Sequence, residues 1–264
     1  MPARLADVLV RSLPAEHGFL VPYFMVDRAH LRTLGSLIEA ARTSGADAVE
    51  LGFPFTDPIA DGPTLQAASA RALKHRTRWD HLLEAVEAAS ALLPVAVMTY
   101  ANPVYHRGLD TALAMLRSAG ASGLIVPDLS LEESEPWRRA CERAGVSLVL
   151  MAAPGTSAAR LKALVRHTSG FLYLVSRYGV TGGTGFRATP ELRSLMGGSH
   201  RTRPSLPVLI GFGVRAPEDA SKVLRAGGDG VVVGSALEDR LARDYSPRTV
   251  SAFLRPVAAQ LRRG

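Results

Sequence analysis

With one cysteine in 264 residues, Cys141, an intramolecular disulfide is impossible. It lies in Trp137-Arg138-Arg139-Ala140-Cys141-Glu142-Arg143, whose spacing puts it on one face of a helix, so a packed, inert thiol is expected. No apolar run approaches the ~20 residues that a membrane span needs. No secretory leader is expected, because Met1 to Leu13 carries Arg4, Asp7 and Arg11 through what would have to be its apolar stretch. The expectation is a cytoplasmic protein with no membrane partner. The seven histidines make no HxH, HExxH or Cys/His spacing, which leaves no metal site to argue for. Neither a nucleophile elbow nor a Schiff-base lysine stands at a strand end. The formal charge of +7 comes without aromatic interleaving or a recognition motif, which speaks against nucleic acid. Dispersed arginines read as solvated helix faces, with steering of a phosphorylated small molecule as a second use.

What is present is a repeated junction. Ser44-Gly45-Ala46-Asp47-Ala48-Val49-Glu50, Ala119-Gly120-Ala121-Ser122-Gly123-Leu124-Ile125-Val126, Ala144-Gly145-Val146-Ser147-Leu148-Val149-Leu150 and Ala226-Gly227-Gly228-Asp229-Gly230-Val231-Val232-Val233 each lead from a helical end through glycine into an apolar strand. Glycine just past a helix supplies the left-handed conformation that turns the chain. Between junctions the strands are continuous apolar runs, as when both faces are covered. Eight are placed near 19–26, 48–52, 95–100, 123–128, 147–152, 170–176, 207–213 and 230–235. Helical periodicity fills the gaps, as in Leu31, Leu34, Leu37, Ile38 and Ala41, then Leu82, Leu83, Val86, Ala89 and Leu92. Pro217-Glu218-Asp219 reads as a helix first turn. Eight evenly spaced units predict an α/β fold, a (β/α)8 TIM barrel forming one domain over residues 1–264, with an extra N-terminal helix. An open doubly wound sheet is the alternative.

In such a barrel the working residues lie at the C-terminal ends of strands. Glu50, in Val49-Glu50-Leu51-Gly52, would lose hydration among apolar side chains and have a raised pKa, as a proton donor or acceptor near neutral pH needs. The competing reading is a structural carboxylate paired with a buried arginine. The following loop, Phe53-Pro54-Phe55-Thr56-Asp57-Pro58-Ile59-Ala60-Asp61-Gly62-Pro63-Thr64, is long, proline-stiffened and carries two more acids. Asp61 and Asp57 also suit turn or cap contacts, Asp57 more so. Late in the chain, Gly179-Val180-Thr181-Gly182-Gly183-Thr184-Gly185, Gly211-Phe212-Gly213 and Gly234-Ser235 follow or end strands six, seven and eight. Their uncovered amides would form an anion pocket where this fold commonly holds phosphate.

Residues 50–64 resemble the catalytic strand and loop of the tryptophan synthase alpha chain family almost throughout. Further matches are Tyr100-Ala101-Asn102-Pro103, Val126-Pro127-Asp128-Leu129, Tyr173-Leu174-Val175-Ser176-Arg177, Val180-Thr181-Gly182, Gly211-Phe212-Gly213-Val214 and Gly234-Ser235-Ala236, in order along the chain. The resemblance implies retro-aldol cleavage of indole-3-glycerol phosphate to indole and glyceraldehyde 3-phosphate. It assigns Glu50 to proton transfer and Asp61 to stabilising the charge at the indole N–H. Tyr173 would orient Glu50 or line the indole pocket with Tyr23, Tyr100, Ile125, Thr181 and Phe212. Amides of Gly182, Gly213, Gly234 and Ser235 would hold the phosphate. It further implies a beta-chain partner in an alpha-beta-beta-alpha heterotetramer, with pyridoxal phosphate on that partner and no cofactor here. Three segments depart from the family pattern. They are Met25-Val26-Asp27-Arg28, a residue shorter than usual, Lys74-His75-Arg76-Thr77 in place of a small glycine-containing turn, and Tyr178 to Gly185. Ser130 also stands where proline is common. The departures keep open a free-standing indole-3-glycerol phosphate lyase for another pathway. A catalytically idle regulatory subunit and a sugar-phosphate isomerase are remoter alternatives.

Overall fold

The computed structural model describes Leu5 and residues 17–176, 185–211 and 213–262. The expected N-terminal helix falls outside the described residues except at Leu5, and Thr181, Gly182 and Phe212 lie outside them entirely. The strands are β1 (Phe19–Met25), β2 (Val49–Gly52), β3 (Val95–Met98), β4 (Ala121–Ile125), β5 (Ser147–Val149), β6 (Met151–Ala152), β7 (Leu172–Val175), β8 (Val208–Gly211) and β9 (Gly230–Val233). They run β5-β4-β3-β2-β1-β9-β8-β7-β6, all pairings parallel. Each strand but β6 pairs with its predecessor, β5 and β6 are consecutive pieces of the chain, and β1 pairs with β9, which is the order of a barrel. A doubly wound sheet would reverse direction at β1.

All eight predicted strands are present, but the fifth is divided at Leu150. Its first half pairs with β4 and its second with β7. At the break the Leu150 N–H donates to Thr168 Oγ1 at 2.9 Å and its carbonyl accepts from the Tyr173 N–H at 3.1 Å. Both backbone groups are satisfied while the chain passes from one neighbour to the other.

Strand side chains alternate between two buried layers. Phe19, Val21, Tyr23 and Met25 join Ala96, Met98, Ile125, Val149, Phe171, Tyr173, Leu209 and Val232 inside the barrel. Leu20, Phe24, Val49, Leu51, Val95, Val97, Leu172 and Ile210 belong to the outer layer, under the helices. With Val49 and Leu51 outward, Glu50 between them faces inward. Leu5 is fully buried in the inner layer and leaves no room for a side chain at position 123.

The helices follow the predicted periodicity. Leu31–Thr43 buries Leu34, Leu37, Ile38 and Ala41, and Trp79–Ser90 buries Leu82, Val86 and Ala89. Leu92 falls beyond the second helix's end. The four junction glycines, Gly45, Gly120, Gly145 and Gly227, all have positive φ, from 71° to 106°. The helix Pro217–Arg225 starts on proline as expected. Cys141 is buried in the helix Ser134–Ala144, and burial pushes its thiol up to about 12, an unreactive group.

Two of the departing segments meet. Asp27 accepts from the Ala29 N–H at 2.9 Å, and both its oxygens lie within 2.9 Å of His75 Nδ1. The Arg28 N–H donates to Thr77 Oγ1 at 3.0 Å. Arg76, at the tip of that turn, is the one non-glycine of positive φ (58°) among the described residues.

Candidate active site

Alternation places Glu50 in the barrel interior, and register places it beside Tyr23 on β1 and Ala96 on β3. The two strand tyrosines lie across neighbouring strands. Tyr23 covers Gly52, where a built Cβ would fall 1.9 Å from the phenolic oxygen. Tyr173 covers Gly211 in the same way, at 2.2 Å. Both glycines therefore admit a ring, which leaves Gly213 as the bare residue of the Gly211-Phe212-Gly213 turn on the cavity wall. Gly213 has φ 90° and can remain bare at the rim.

These residues enclose a cavity at the C-terminal end of the barrel. Tyr23, Glu50, Tyr173, Gly213, Gly234 and Ser235 line it, all named from sequence. Gly62, Leu65, Met98, Val214 and Val232 line it too and were not foreseen. Apolar side chains carry no chemical signature in sequence, although Met98 lies within a predicted strand. The space between atoms is about 490 Å³, part of it open to solvent. Tyr100 and Ile125 are buried but not on its wall.

Asp61 stands behind this wall. Its N–H donates to the Pro58 carbonyl at 3.1 Å, and its own carbonyl accepts from Gln66 Nε2 at 2.9 Å. Gly62, not Asp61, caps the helix Pro63–Lys74, with Pro63 in its first turn. The loop is clamped at Phe55, whose N–H and carbonyl both bond Ser69 Oγ at 2.9 Å. Tyr100 stacks on Phe55 at 5.1 Å, and its hydroxyl accepts from the Ala60 N–H at 3.1 Å. Tyr100 thus supports the Asp61 loop. Asp57 is exposed and its carbonyl accepts from the Ile59 N–H, as a turn residue does.

Glu50 is 1% exposed, and among the described residues neither of its carboxyl oxygens, nor Asp61 Oδ1, has a hydrogen-bond partner. The buried arginine pairing is therefore absent for Glu50 among the described residues. Burial, and secondarily the Asp61 charge, push Glu50 up to about 8. Burial raises Asp61 to about 6, restrained by the Tyr100 hydrogen bond. At pH 7 the first is mainly a neutral acid and the second mainly a carboxylate. Tyr23 and Tyr173 are raised by burial, then by these acids. Glu50 can thus give a proton into the cavity, and the Asp61 carboxylate, next in the chain to the wall residue Gly62, can stabilise positive charge that develops nearby. Among the described residues no cluster of His, Cys, Asp or Glu could hold a metal, and no helix is long and apolar enough to cross a membrane.

Comparison with known proteins gives this chemistry a family. The model of the tryptophan synthase alpha chain family matches residues 11–258. The tryptophan synthase alpha chain of Methanosarcina acetivorans is 40% identical over 222 residues, 83% of this chain and 79% of the relative. That of Rippkaea orientalis is 36% identical over 250 residues, 92% of each chain. A solved structure of Mycobacterium tuberculosis tryptophan synthase superposes with a TM-score of 0.88 at 33% identity over the whole of both chains.

Proposed function

The chain belongs to the tryptophan synthase alpha chain family, and on that premise we propose how its residues divide the cleavage of indole-3-glycerol phosphate. Neutral Glu50 gives its proton to indole C3. As the bond from C3 to the side chain breaks, the carboxylate so formed takes the proton of the hydroxyl on the departing carbon, which becomes the aldehyde of glyceraldehyde 3-phosphate. One proton enters, one leaves, and Glu50 is restored. Asp61, kept ionised, stabilises the positive charge spreading to the indole N–H while C3 is protonated. Two carboxylates of unlike environment divide the work. Tyr23 and Tyr173 wall the cavity beside Glu50, and the amides of Gly213, Gly234 and Ser235, with Gly182, take the phosphate. Thr181 and Phe212 complete the indole pocket, with Tyr100 and Ile125 as supports. The observation that carries this reading is the unpartnered, fully buried Glu50 carboxyl on the cavity wall, with a pKa near 8.

The whole chain is read as one barrel domain of a cytoplasmic biosynthetic enzyme. It partners a beta chain that carries pyridoxal phosphate, in an alpha-beta-beta-alpha assembly. Indole release from purified protein, with and without a beta chain, tests both levels. Turnover with stimulation by the beta chain is the expected result, and no indole in either case rejects the reaction. Full activity alone without stimulation selects the free-standing lyase, which the bonded pair of departing segments, 25–28 and 74–77, favours. Asp61→Asn is expected to lower kcat by roughly 100-fold with KM little changed.

A further inference from the structure

In the barrel β1 lies between β2 and β9. The helix Pro63–Lys74, which follows the β2 loop, and the helix Ser235–Leu241, which follows β9, meet beside the end of β1, and two polar rungs join them. Thr64 Oγ1 donates to Asp239 Oδ1 at 3.1 Å. Two turns further along the same face, Arg71 Nη2 lies 3.8 Å from Glu238 Oε2. The other Glu238 oxygen accepts the Met25 N–H at 2.8 Å, fixing both helices to the end of β1. Arg215, on the loop beyond Gly213, lies 3.9 Å from Asp239 Oδ2.

Each side of this seam is within one turn of a functional group. Asp61 directly precedes the cap of the first helix and is tied to it through Gln66. Gly234 caps the second, and its carbonyl accepts the Glu238 N–H at 3.0 Å. A shift of one helix along the other would therefore carry Asp61 relative to Gly234 and Ser235. Glu238 in the first turn of that second helix, with Asp239 next to it, opposes an incoming anion, and an apolar seam would avoid that repulsion. Apolar contacts slide, however, whereas hydrogen bonds are directional.

We infer that the Thr64–Asp239 and Arg71–Glu238 rungs are positioning residues that set the distance from the Asp61 carboxylate to the bound phosphate, and so to the indole ring. This rests on the assignment above of Asp61 to charge stabilisation and of Gly234 and Ser235 to the phosphate. A displacement of about 1 Å at such a group can cost a large factor in rate.

Steady-state indole release by Thr64→Val, Thr64→Ser, Asp239→Ala and the Thr64→Val/Asp239→Ala double variant, with melting temperatures, tests the inference. Thr64→Val and Asp239→Ala are expected to lower kcat roughly tenfold with KM within about twofold, and the double variant to be no worse than the worse single. Thr64→Ser, which keeps the hydroxyl, restores kcat. Unchanged kcat in the Val and Ala variants, a parallel loss of kcat, KM and melting temperature, or additive effects would overturn it. A wild-type chain that releases no indole overturns the assignment of the site and the inference together. Normal wild-type turnover with indifferent variants overturns the seam alone.

Discussion

Two glutamates are buried on either side of β1, and they are treated oppositely. Glu238 is 2% exposed, with one oxygen on a backbone N–H and the other near a guanidinium. Glu50 is 1% exposed, with neither oxygen bonded among the described residues. Burial raises both, Glu238 to about 7 and Glu50 to about 8, the Met25 and Arg71 contacts restraining the former. A carboxyl whose bonding capacity is spent holds structure, whereas one left unspent on a cavity wall is available to a substrate.

Glu50→Gln is the sharpest way to break that contrast. It removes the exchangeable proton and is expected to lower kcat by about 1,000-fold or more, read in the indole assay. Near-normal turnover would end the assignment. Stability moves the other way. Below the unfolded pKa near 4.5 both states are protonated and Glu50 has no pH-dependent effect. As pH rises towards 8 the unfolded chain loses this proton while the folded chain keeps it, so stability falls, by about 3 kcal/mol at pH 7. Denaturant midpoints between pH 5 and 8 should therefore decline less steeply for Glu50→Gln than for the wild type.

Glu238→Ala should cost stability in addition to the loss of kcat expected when a rung is broken. Losing both contacts leaves the Met25 N–H buried without a partner and is expected to cost about 2–4 kcal/mol, measured by denaturant unfolding. An unchanged unfolding midpoint would remove the structural half of the comparison.

Gly52→Ala and Gly211→Ala sharpen the cavity side. Each Cβ would occupy the place of a phenolic ring, and the ring must move into the cavity or the strand must shift. About 1–3 kcal/mol of destabilisation is expected, with KM rising more than kcat falls. The smallest effect belongs to Arg76→Gly, which relieves a left-handed arginine and should add about 1 kcal/mol to stability, read in the same unfolding experiment.

Much of this was legible before any tertiary contact was known. The four junction glycines mark strand entries because only a residue without Cβ turns left-handed there at no cost. An acid between Val49 and Leu51 on a doubly covered strand must be buried whichever face it takes, and Asp61 stood out by its place on a stiff loop. The missing parts were relations between distant residues. That Gly52 and Gly211 make room for Tyr23 and Tyr173 depends on which strands adjoin. That the atypical Asp27 and His75 belong together depends on a contact across 48 positions. Tyr100 belongs to the Asp61 loop because the chain folds that loop back over β3. The division of the fifth strand at Leu150 had no signature in its apolar run.

The sequence by itself determined the barrel, the order of its strands, the desolvated acid at a strand end and the family, because side-chain period, junction chemistry and a nearly unbroken catalytic motif are local properties of the chain. Tertiary structure alone decided which buried carboxylate is satisfied and which is not. Hydration and hydrogen-bond partners are set by neighbours from remote parts of the chain, and the same residue type becomes a clasp at position 238 and an unpartnered acid on the cavity wall at position 50.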